Sequence, residues 1–126
     1  MSEKSVLVQD LAQLLAGDEG YSAQPWQSLV MVGEVVPGRT SMNGFVYLDN
    51  GQAVPASPRS MEALKKLKEV SAAMQAESGK RWLACVVRID RPSGKVDIHF
   101  EYDDAERWLI TPQNVAGMAE TLRPAA

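Results

Sequence analysis

The only histidine in the chain, His99, stands between two carboxylates in the segment KVDIHFEYD. Alternate residues of a strand share a face, so Asp97, His99 and Glu101 are expected to point the same way. A histidine between two carboxylates could serve as the general base of a hydrolase, or the three groups could bind a metal weakly. A water-facing polar surface explains the same alternation without any chemistry, and we favour that interpretation.

The remaining residue types offer little for catalysis. One cysteine and one histidine cannot build a zinc site of the usual Cys/His type. The sequence contains no GxGxxG, Walker, GxSxG or HExxH motif. Cys85 lies in the apolar run WLACVVRI, where a thiol is expected to be a buried and inert core residue. We therefore predict a protein that is not an enzyme and has no catalytic residue, metal site or cofactor.

Four acidic residues lie at the end of this segment and just after it, and we call them the acidic loop: Glu101, Asp103, Asp104 and Glu106. With only Arg107 beside them, these carboxylates would repel one another unless an ion or a basic partner neutralised them. The alternating D-x-D-x-D-G pattern of a calcium-binding loop is missing. The acidic loop is therefore either a solvated turn or a surface for a basic partner.

Trp108 follows the acidic loop and has a large amphipathic ring of the kind that is enriched in protein–protein hot spots. Packing beneath the last helix is the alternative. Trp26 and Trp82 precede strands and are predicted at the edge of the core. The residues predicted to bind a partner protein are Glu101, Asp103, Asp104, Glu106 and Trp108.

The elements before these residues follow from apolar spacing and turn signals. A first helix is predicted over residues 5–16, with one leucine-rich face and Gly17 as its stop. GDEGYSAQP is predicted to be a loop, and SLVMVGEVVPG, bounded by Pro37 and Gly38, a strand. A second strand, SMNGFVYLD, leads to Asn50-Gly51, which favours a type I′ turn with positive φ at both residues. The short segment QAVP is a third and weaker strand.

The longest predicted helix is SPRSMEALKKLKEVSAAMQAESG, with Ser57 or Ser60 as its N-cap and Gly79 at its end. Its inner face is expected to contain Met61, Leu64, Leu67, Ser71 and Met74. RWLACVVRID and KVDIHFEYD form an antiparallel hairpin around Pro92, Ser93 and Gly94. In its second strand Val96, Ile98, Phe100 and Tyr102 are predicted to face inward, and Lys95, Asp97, His99 and Glu101 to face water.

The last predicted helix has Thr111 as its N-cap and Pro112 at its first position, and runs to about Leu122 before Pro124. Ile110 and Val115 would form a hydrophobic staple across this cap. The order helix, strands, helix, hairpin, helix predicts an α+β fold with an antiparallel sheet of four to five strands and about three helices. The length of 126 residues favours a single domain over residues 1–126.

The net charge and the hydropathy pattern reduce the number of partner classes to consider. A net charge of −3 gives no electrostatic reason to bind nucleic acid. No apolar stretch is long enough to span a bilayer, and the first residues lack the features of a secretory signal, which predicts a cytoplasmic protein without membrane attachment. The exposed edges of an antiparallel sheet could pair with a second copy of the chain, so a homodimer is also considered.

The second half resembles the YezG-like family of bacterial immunity proteins over about residues 60–108. An amphipathic helix with Leu64 and Leu67 leads to a strand that Trp82 initiates. The turn SGK and a strand that ends in Phe100 and YDD follow. The resemblance implies a small cytoplasmic antitoxin that binds and neutralises the toxic domain, often a nuclease, of a cognate polymorphic toxin. The alternative function is a non-catalytic adaptor or structural domain of a secretion or regulatory assembly.

Overall fold

The computed structural model describes residues 3–22, 25–36, 38–104 and 106–123, so Pro37 and Pro124, proposed as boundaries of a strand and a helix, lie outside the described residues. The chain forms one small α+β domain. Its helices are α1 (Glu3–Ala16), α2 (Glu19–Ser22), α3 (Met61–Ser78) and α4 (Val115–Thr121). Among the described helices, none combines the length and the apolar character that a membrane span requires.

The five strands form one antiparallel sheet. They are β1 (Trp26–Val36), β2 (Arg39–Leu48), β3 (Ala53–Pro55), β4 (Ala84–Asp90) and β5 (Val96–Glu101). Their order across the sheet is β3-β2-β1-β4-β5, so β3 and β5 are the edges. The predicted α+β class, the antiparallel sheet and the order of elements are confirmed.

One side of the sheet, which we call the helical face, packs against α1 and α3. Leu29 and Met31 of β1 and Cys85 and Val87 of β4 belong to its core, together with Leu67 of α3. Gly33 lets α3 approach closely, because a Cβ at that position would lie 2.9 Å from Leu67 Cδ2. The α3 helix is capped as expected.

The Ser60 hydroxyl accepts hydrogen bonds from the backbone N–H groups of Glu62 and Ala63, and Gly79 ends α3 with a φ of 76°. The inner face of α3 was predicted less well at its start, because Met61 is 65% exposed. Leu67, Ser71 and Met74 are buried as predicted. Met61 is the first residue of α3, and the first buried residue of the helix is Ala63.

The opposite side of the sheet, which we call the C-terminal face, is covered by residues 106–123. Val30, Val32, Phe45, Tyr47 and Val86 form its core with Ala119 and Leu122, and Trp108, Ile110, Val115 and Met118 pack at the periphery. Both faces of the central strands are therefore buried, which explains the unbroken burial of β1 from Leu29 to Val35.

The loop predicted for GDEGYSAQP contains the short helix α2 and a structural carboxylate that the sequence did not suggest. Asp18 is 5% exposed and accepts hydrogen bonds from the backbone N–H groups of Gly20, Arg59 and Ser60 at 2.7, 2.8 and 2.9 Å. It thereby ties the end of α1 to the start of α3.

The turn at Asn50-Gly51 is not of type I′. Gly51 has a φ of 88°, but no residue other than glycine has a positive φ in the described chain. The Gly51 N–H donates to Leu48 O, and the Leu48 N–H donates to Gln52 O, both at 2.9 Å. This is the three-residue hairpin loop with a left-handed glycine, which needs positive φ only at its last residue. The weak strand β3 follows as predicted.

The last helix begins later than predicted. α4 starts at Val115 with Asn114 as its N-cap, so Thr111 is not the N-cap and Pro112 is not the first helical residue. Instead the Asn114 carboxamide oxygen accepts from the Thr111 N–H at 2.7 Å, and the Asn114 N–H donates to the Thr111 hydroxyl at 3.3 Å. This reciprocal pair closes a turn before the helix, and local side-chain bonding of this kind competes with helix formation.

Candidate functional site

The acidic loop leaves the end of β5 and leads into the segment that covers the C-terminal face. Asp103, Asp104 and Glu106 are exposed. The N–H of Glu106 donates to the Asp104 carboxylate at 3.0 Å, and the N–H of Arg107 donates to Asp104 O at 3.3 Å. These bonds connect Asp104 to Glu106 and Arg107, and the carboxylates of Asp103, Asp104 and Glu106 stay exposed.

Glu101 differs from the other three acids, because it is 6% exposed, so the prediction that it faces water is wrong. Alternation put it on the correct side of β5, but that side is covered. Glu101 Oε1 accepts from the Trp108 indole N–H at 3.1 Å, and Oε2 accepts from the Asp103 N–H at 3.3 Å. Glu101 is therefore the buried support of the three exposed acids of this loop.

Trp108 packs within the protein, which was the alternative to a contact with a partner, and its ring stays partly exposed. It packs against the periphery of the core of the C-terminal face. Its ring lies edge-on to His99 at a centroid distance of 5.7 Å, and the Arg107 guanidinium lies 5.5 Å from the ring centroid. Whether Trp108 also contacts a partner stays a prediction.

The charge of Glu101 is well compensated. Burial by itself raises the pKa of this carboxyl, but hydrogen bonds from the Asp103 N–H and the Trp108 indole, the charge of Arg107 and the Asp104 N–H outweigh burial. The pKa is thus held below its usual range. Arg107 Nη1 lies 3.7 Å from Glu101 Oε1. Part of the repulsion expected within the acidic loop is therefore neutralised inside the protein.

The residues considered for catalysis are separated. Asp97 turns toward Arg88, with 4.0 Å between Oδ2 and Nη1. His99 Nε2 lies 3.9 Å from Glu101 Oε1, which is longer than a hydrogen bond. In the described ranges no group of three His, Cys, Asp or Glu side chains is arranged as a metal site would require.

A second buried carboxylate lies on the C-terminal face and was not predicted as a site residue. Glu34 is 3% exposed and forms an ion pair with Arg39 of β2. It lies opposite Ala84, which in turn lies opposite Glu101. A glutamate inside the apolar run LVMVGEVV was the signal that could have drawn attention to it.

The other aromatic residues and the cysteine belong to the core. Trp26 is 3% exposed and is the first residue of β1, and Trp82 is fully buried two residues before β4, so both lie within the core rather than at its predicted edge. Burial raises the pKa of the Cys85 thiol to about 12, against a smaller opposing effect of a backbone hydrogen bond at Gly33. Cys85 is fully buried, so the prediction of a core thiol is confirmed.

Tyr102 is 39% exposed, so the prediction that it faces inward is wrong. It follows the last residue of β5, where the chain leaves the sheet.

Comparison with known proteins does not identify a family for this chain. No protein-family model matches it, and no curated protein is significantly similar to it.

Proposed function

We propose that this protein is an immunity protein, an antitoxin that binds the toxic domain of a cognate bacterial toxin and occludes it. The observation that supports this function best is the acidic loop, in which Asp103, Asp104 and Glu106 are exposed on a turn held from below by Glu101. The resemblance of residues 60–108 to the YezG-like family favours the same function. The proposed compartment is the cytoplasm.

The support beneath the loop favours binding because it limits the entropy lost on association. A loop that is already ordered gives up less conformational freedom when a partner binds. Glu101 accepts from both Asp103 and Trp108, so the two ends of the loop are fixed to one buried carboxylate. We assign Glu101 and Trp108 the task of holding the loop, with the exposed part of the Trp108 ring as a contact surface.

The charge of the loop indicates the chemistry of the partner. Three exposed carboxylates on one turn attract a basic surface, such as the substrate-binding surface of a nuclease. Opposite charges speed association, whereas a partly buried aromatic contact slows release. The proposed mechanism is a one-to-one complex in which the acidic loop covers a basic region of the toxin domain.

The experiment that tests this function is co-expression with the protein encoded immediately upstream. The upstream protein is produced with and without this chain, and cell survival and co-purification are measured. Rescue of survival together with a one-to-one complex is the expected result. A harmless upstream protein that does not bind would contradict the immunity function and would favour the adaptor alternative, for which partners are then sought by unbiased pull-down.

A charge-reversal pair tests the role of the acidic loop in that complex. Asp103→Lys with Glu106→Lys should raise the Kd by about tenfold or more and flatten its salt dependence, because the long-range attraction is lost. The matched control is Asp49→Lys with Glu77→Lys, which changes the net charge equally at exposed positions outside the loop. Equal effects of the two variants would contradict a specific contact at the acidic loop.

The hydrolase alternative has its own test. His99→Ala removes the only imidazole that could serve as a general base, so a hydrolytic function would be lost. We expect His99→Ala to protect cells as well as the natural chain does, measured as survival in the co-expression experiment. Loss of protection with an intact complex would favour the hydrolase.

A further inference from the structure

The two edges of the sheet are unequal. β3 has three residues and ends at Pro55, and a short strand with a proline is a common protection against edge-to-edge pairing. β5 has six residues, contains no proline and, within the described residues, pairs only with β4. Its outer edge is therefore a surface to which another strand can be added.

The backbone groups at that edge can be assigned from the neighbouring hydrogen bonds. The Arg91 N–H donates to Gln27 O, so the odd-numbered positions of β4 bond to β1. The Asp90 N–H donates to Lys95 O, so the even-numbered positions bond to β5. Because these bonds alternate along an antiparallel ladder, the N–H and C=O groups of Val96, Ile98 and Phe100 point outward.

A second copy of β5 fits this edge in one register. When Ile98 pairs with Ile98 of the second copy around a twofold axis, Val96 lies opposite Phe100 of the second copy on the helical face. Val96 is 42% exposed, and Ile98 and Phe100 are half-buried. Aromatic and β-branched residues in such opposite positions stabilise a sheet.

The polar side of β5 is complementary in the same register. Asp97 lies opposite His99 of the second copy, where the imidazole can donate a hydrogen bond to the carboxylate. Their side chains are 63% and 52% exposed, so both are accessible. Lys95 lies opposite Glu101 of the second copy, but that carboxylate is buried under Trp108, so Asp97 and His99 form the polar contact of this register. Each opposite-charge or hydrogen-bonded pair occurs twice because of the twofold axis.

Both neighbouring registers are disfavoured. The outward backbone groups occur at every second residue, so the strands can shift only by two residues at a time. One shift places Asp97 opposite Asp97 of the second copy and Lys95 opposite His99. The other places Asp97 opposite Glu101 and His99 opposite His99. Like charges directly opposite each other destabilise a strand pair, so the side chains of β5 specify one arrangement.

From these pairings we infer that the protein forms a symmetric dimer through β5, in which two five-stranded sheets join into one continuous sheet. The interface requires neither the exposed carboxylates of the acidic loop nor a toxin, so the dimer forms whether or not the proposed immunity function is correct. The partner at this edge is a second copy of the chain because the side chains of β5 complement themselves.

Sedimentation equilibrium of the full chain over a range of concentrations measures this dimer. Ile98→Pro removes an N–H that points outward and spares the bonds to β4, and it should raise the dimer Kd by about tenfold or more. Ala53→Pro is the matched control, because Ala53 is at the other edge and its N–H also points outward. It should leave the dimer Kd unchanged.

A charge exchange tests the register without a proline. Asp97→Lys alone places an ammonium group opposite His99 of the second copy and should raise the dimer Kd by about threefold to tenfold. Adding His99→Asp to the same chain places a carboxylate opposite that ammonium group and should return the Kd toward its original value.

A natural chain that sediments as a monomer at every concentration would overturn the dimer. A dimer that Ile98→Pro leaves intact would show that another surface mediates it. If the paired exchange fails to restore association, the Ile98-centred register is wrong. Binding of a strand from a different protein at this edge, without self-association, would overturn the choice of a second copy as the partner.

Discussion

The helical face and the C-terminal face of the sheet are held in different ways. On the helical face, Leu67, Val70 and Met74 of α3 are buried against the sheet, and burial of apolar surface provides the stabilisation. On the C-terminal face, α4 has seven residues, and an isolated helix of that length is not stable in water. Its position depends on hydrogen bonds from the sheet as well as on apolar contact.

Two of these hydrogen bonds reach carbonyl groups at the end of α4. The Tyr47 hydroxyl of β2 donates to Ala119 O at 2.8 Å, and Arg88 Nε of β4 donates to Leu122 O at 3.1 Å. The last carbonyl groups of a helix have no partner within the helix, and side chains commonly supply one. The sheet therefore caps the helix that covers it.

The candidate site is attached to the more weakly held side of the sheet. The acidic loop and Trp108 belong to the segment that covers the C-terminal face, and their anchor is a polar contact with Glu101. Regions with few apolar contacts open locally at lower free energy than the rest of a protein. We expect the C-terminal face to open before the helical face does.

The largest expected effect is on the helical face. Leu67→Ala removes a fully buried side chain and leaves a cavity beside Gly33, which should lower the free energy of unfolding by about 2 to 5 kcal/mol. Urea denaturation measures this change. The control on the same helix is Met61→Ala, for which we expect less than about 0.5 kcal/mol because Met61 is exposed. Similar losses for the two variants would contradict the assigned packing of α3.

A smaller and more local effect is expected on the C-terminal face. Tyr47→Phe removes the hydrogen bond to Ala119 O and keeps the ring, which should cost about 1 kcal/mol. Hydrogen exchange should show amides of α4 exchanging about fivefold faster, with the amides of the helical face unchanged. Equal acceleration on both faces would mean that the two faces unfold together, and the distinction between them would fail.

The helical face could be predicted from the sequence because its pattern is local. The apolar spacing in α1 and α3, the caps of α3 and the hairpin between β4 and β5 all depend on residues that are close in the chain. The C-terminal face depends on contacts between distant residues. Tyr47 and Ala119 are 72 residues apart, and no periodicity within either segment indicates that they meet.

The same reason explains which site residues were misjudged. Alternation correctly placed His99 and Glu101 on one side of β5. The error was to treat that side as water-facing, because Trp108 and the rest of the C-terminal segment cover part of it. The exposed acids Asp103 and Asp104 lie beyond the strand and needed no long-range contact to be predicted. A side chain's direction could thus be read from the sequence, whereas its environment could not.

The stability of the two faces can be compared at alkaline pH, because each face contains a buried tyrosine with a raised pKa. Burial raises the pKa of Tyr47 to about 12, modified by a lowering effect of Arg123 and a raising effect of Glu120. A raised pKa in the folded state gives stability that is complete below about pH 10, the value for a free tyrosine, and is lost as pH rises toward the folded value.

We therefore expect the free energy of unfolding to fall between about pH 10 and about pH 12, and Tyr47→Phe to reduce that fall. Tyr21 lies on the helical face, where burial, and to a smaller extent Asp18, raise its pKa as well. Its contribution should remain in Tyr47→Phe and disappear in Tyr21→Phe. Identical pH profiles for the natural chain and Tyr47→Phe would contradict the burial of the Tyr47 hydroxyl.

The smallest effect concerns Glu101, because burial and hydrogen bonding act on its pKa in opposite directions. Its folded-state pKa is lowered, so it contributes stability that is present above about pH 4.3, the value for a free glutamate, and is lost as pH falls through the folded value. Glu101→Gln keeps the shape of the side chain but cannot lose a charge. The acid limb of its stability profile, measured by urea denaturation at successive pH values, should be shallower than that of the natural chain. Because Glu101 holds the acidic loop through Trp108, the change of Trp108 fluorescence on acidification should also differ between Glu101→Gln and the natural chain. An unchanged acid limb would mean that the loop is not held by this carboxylate.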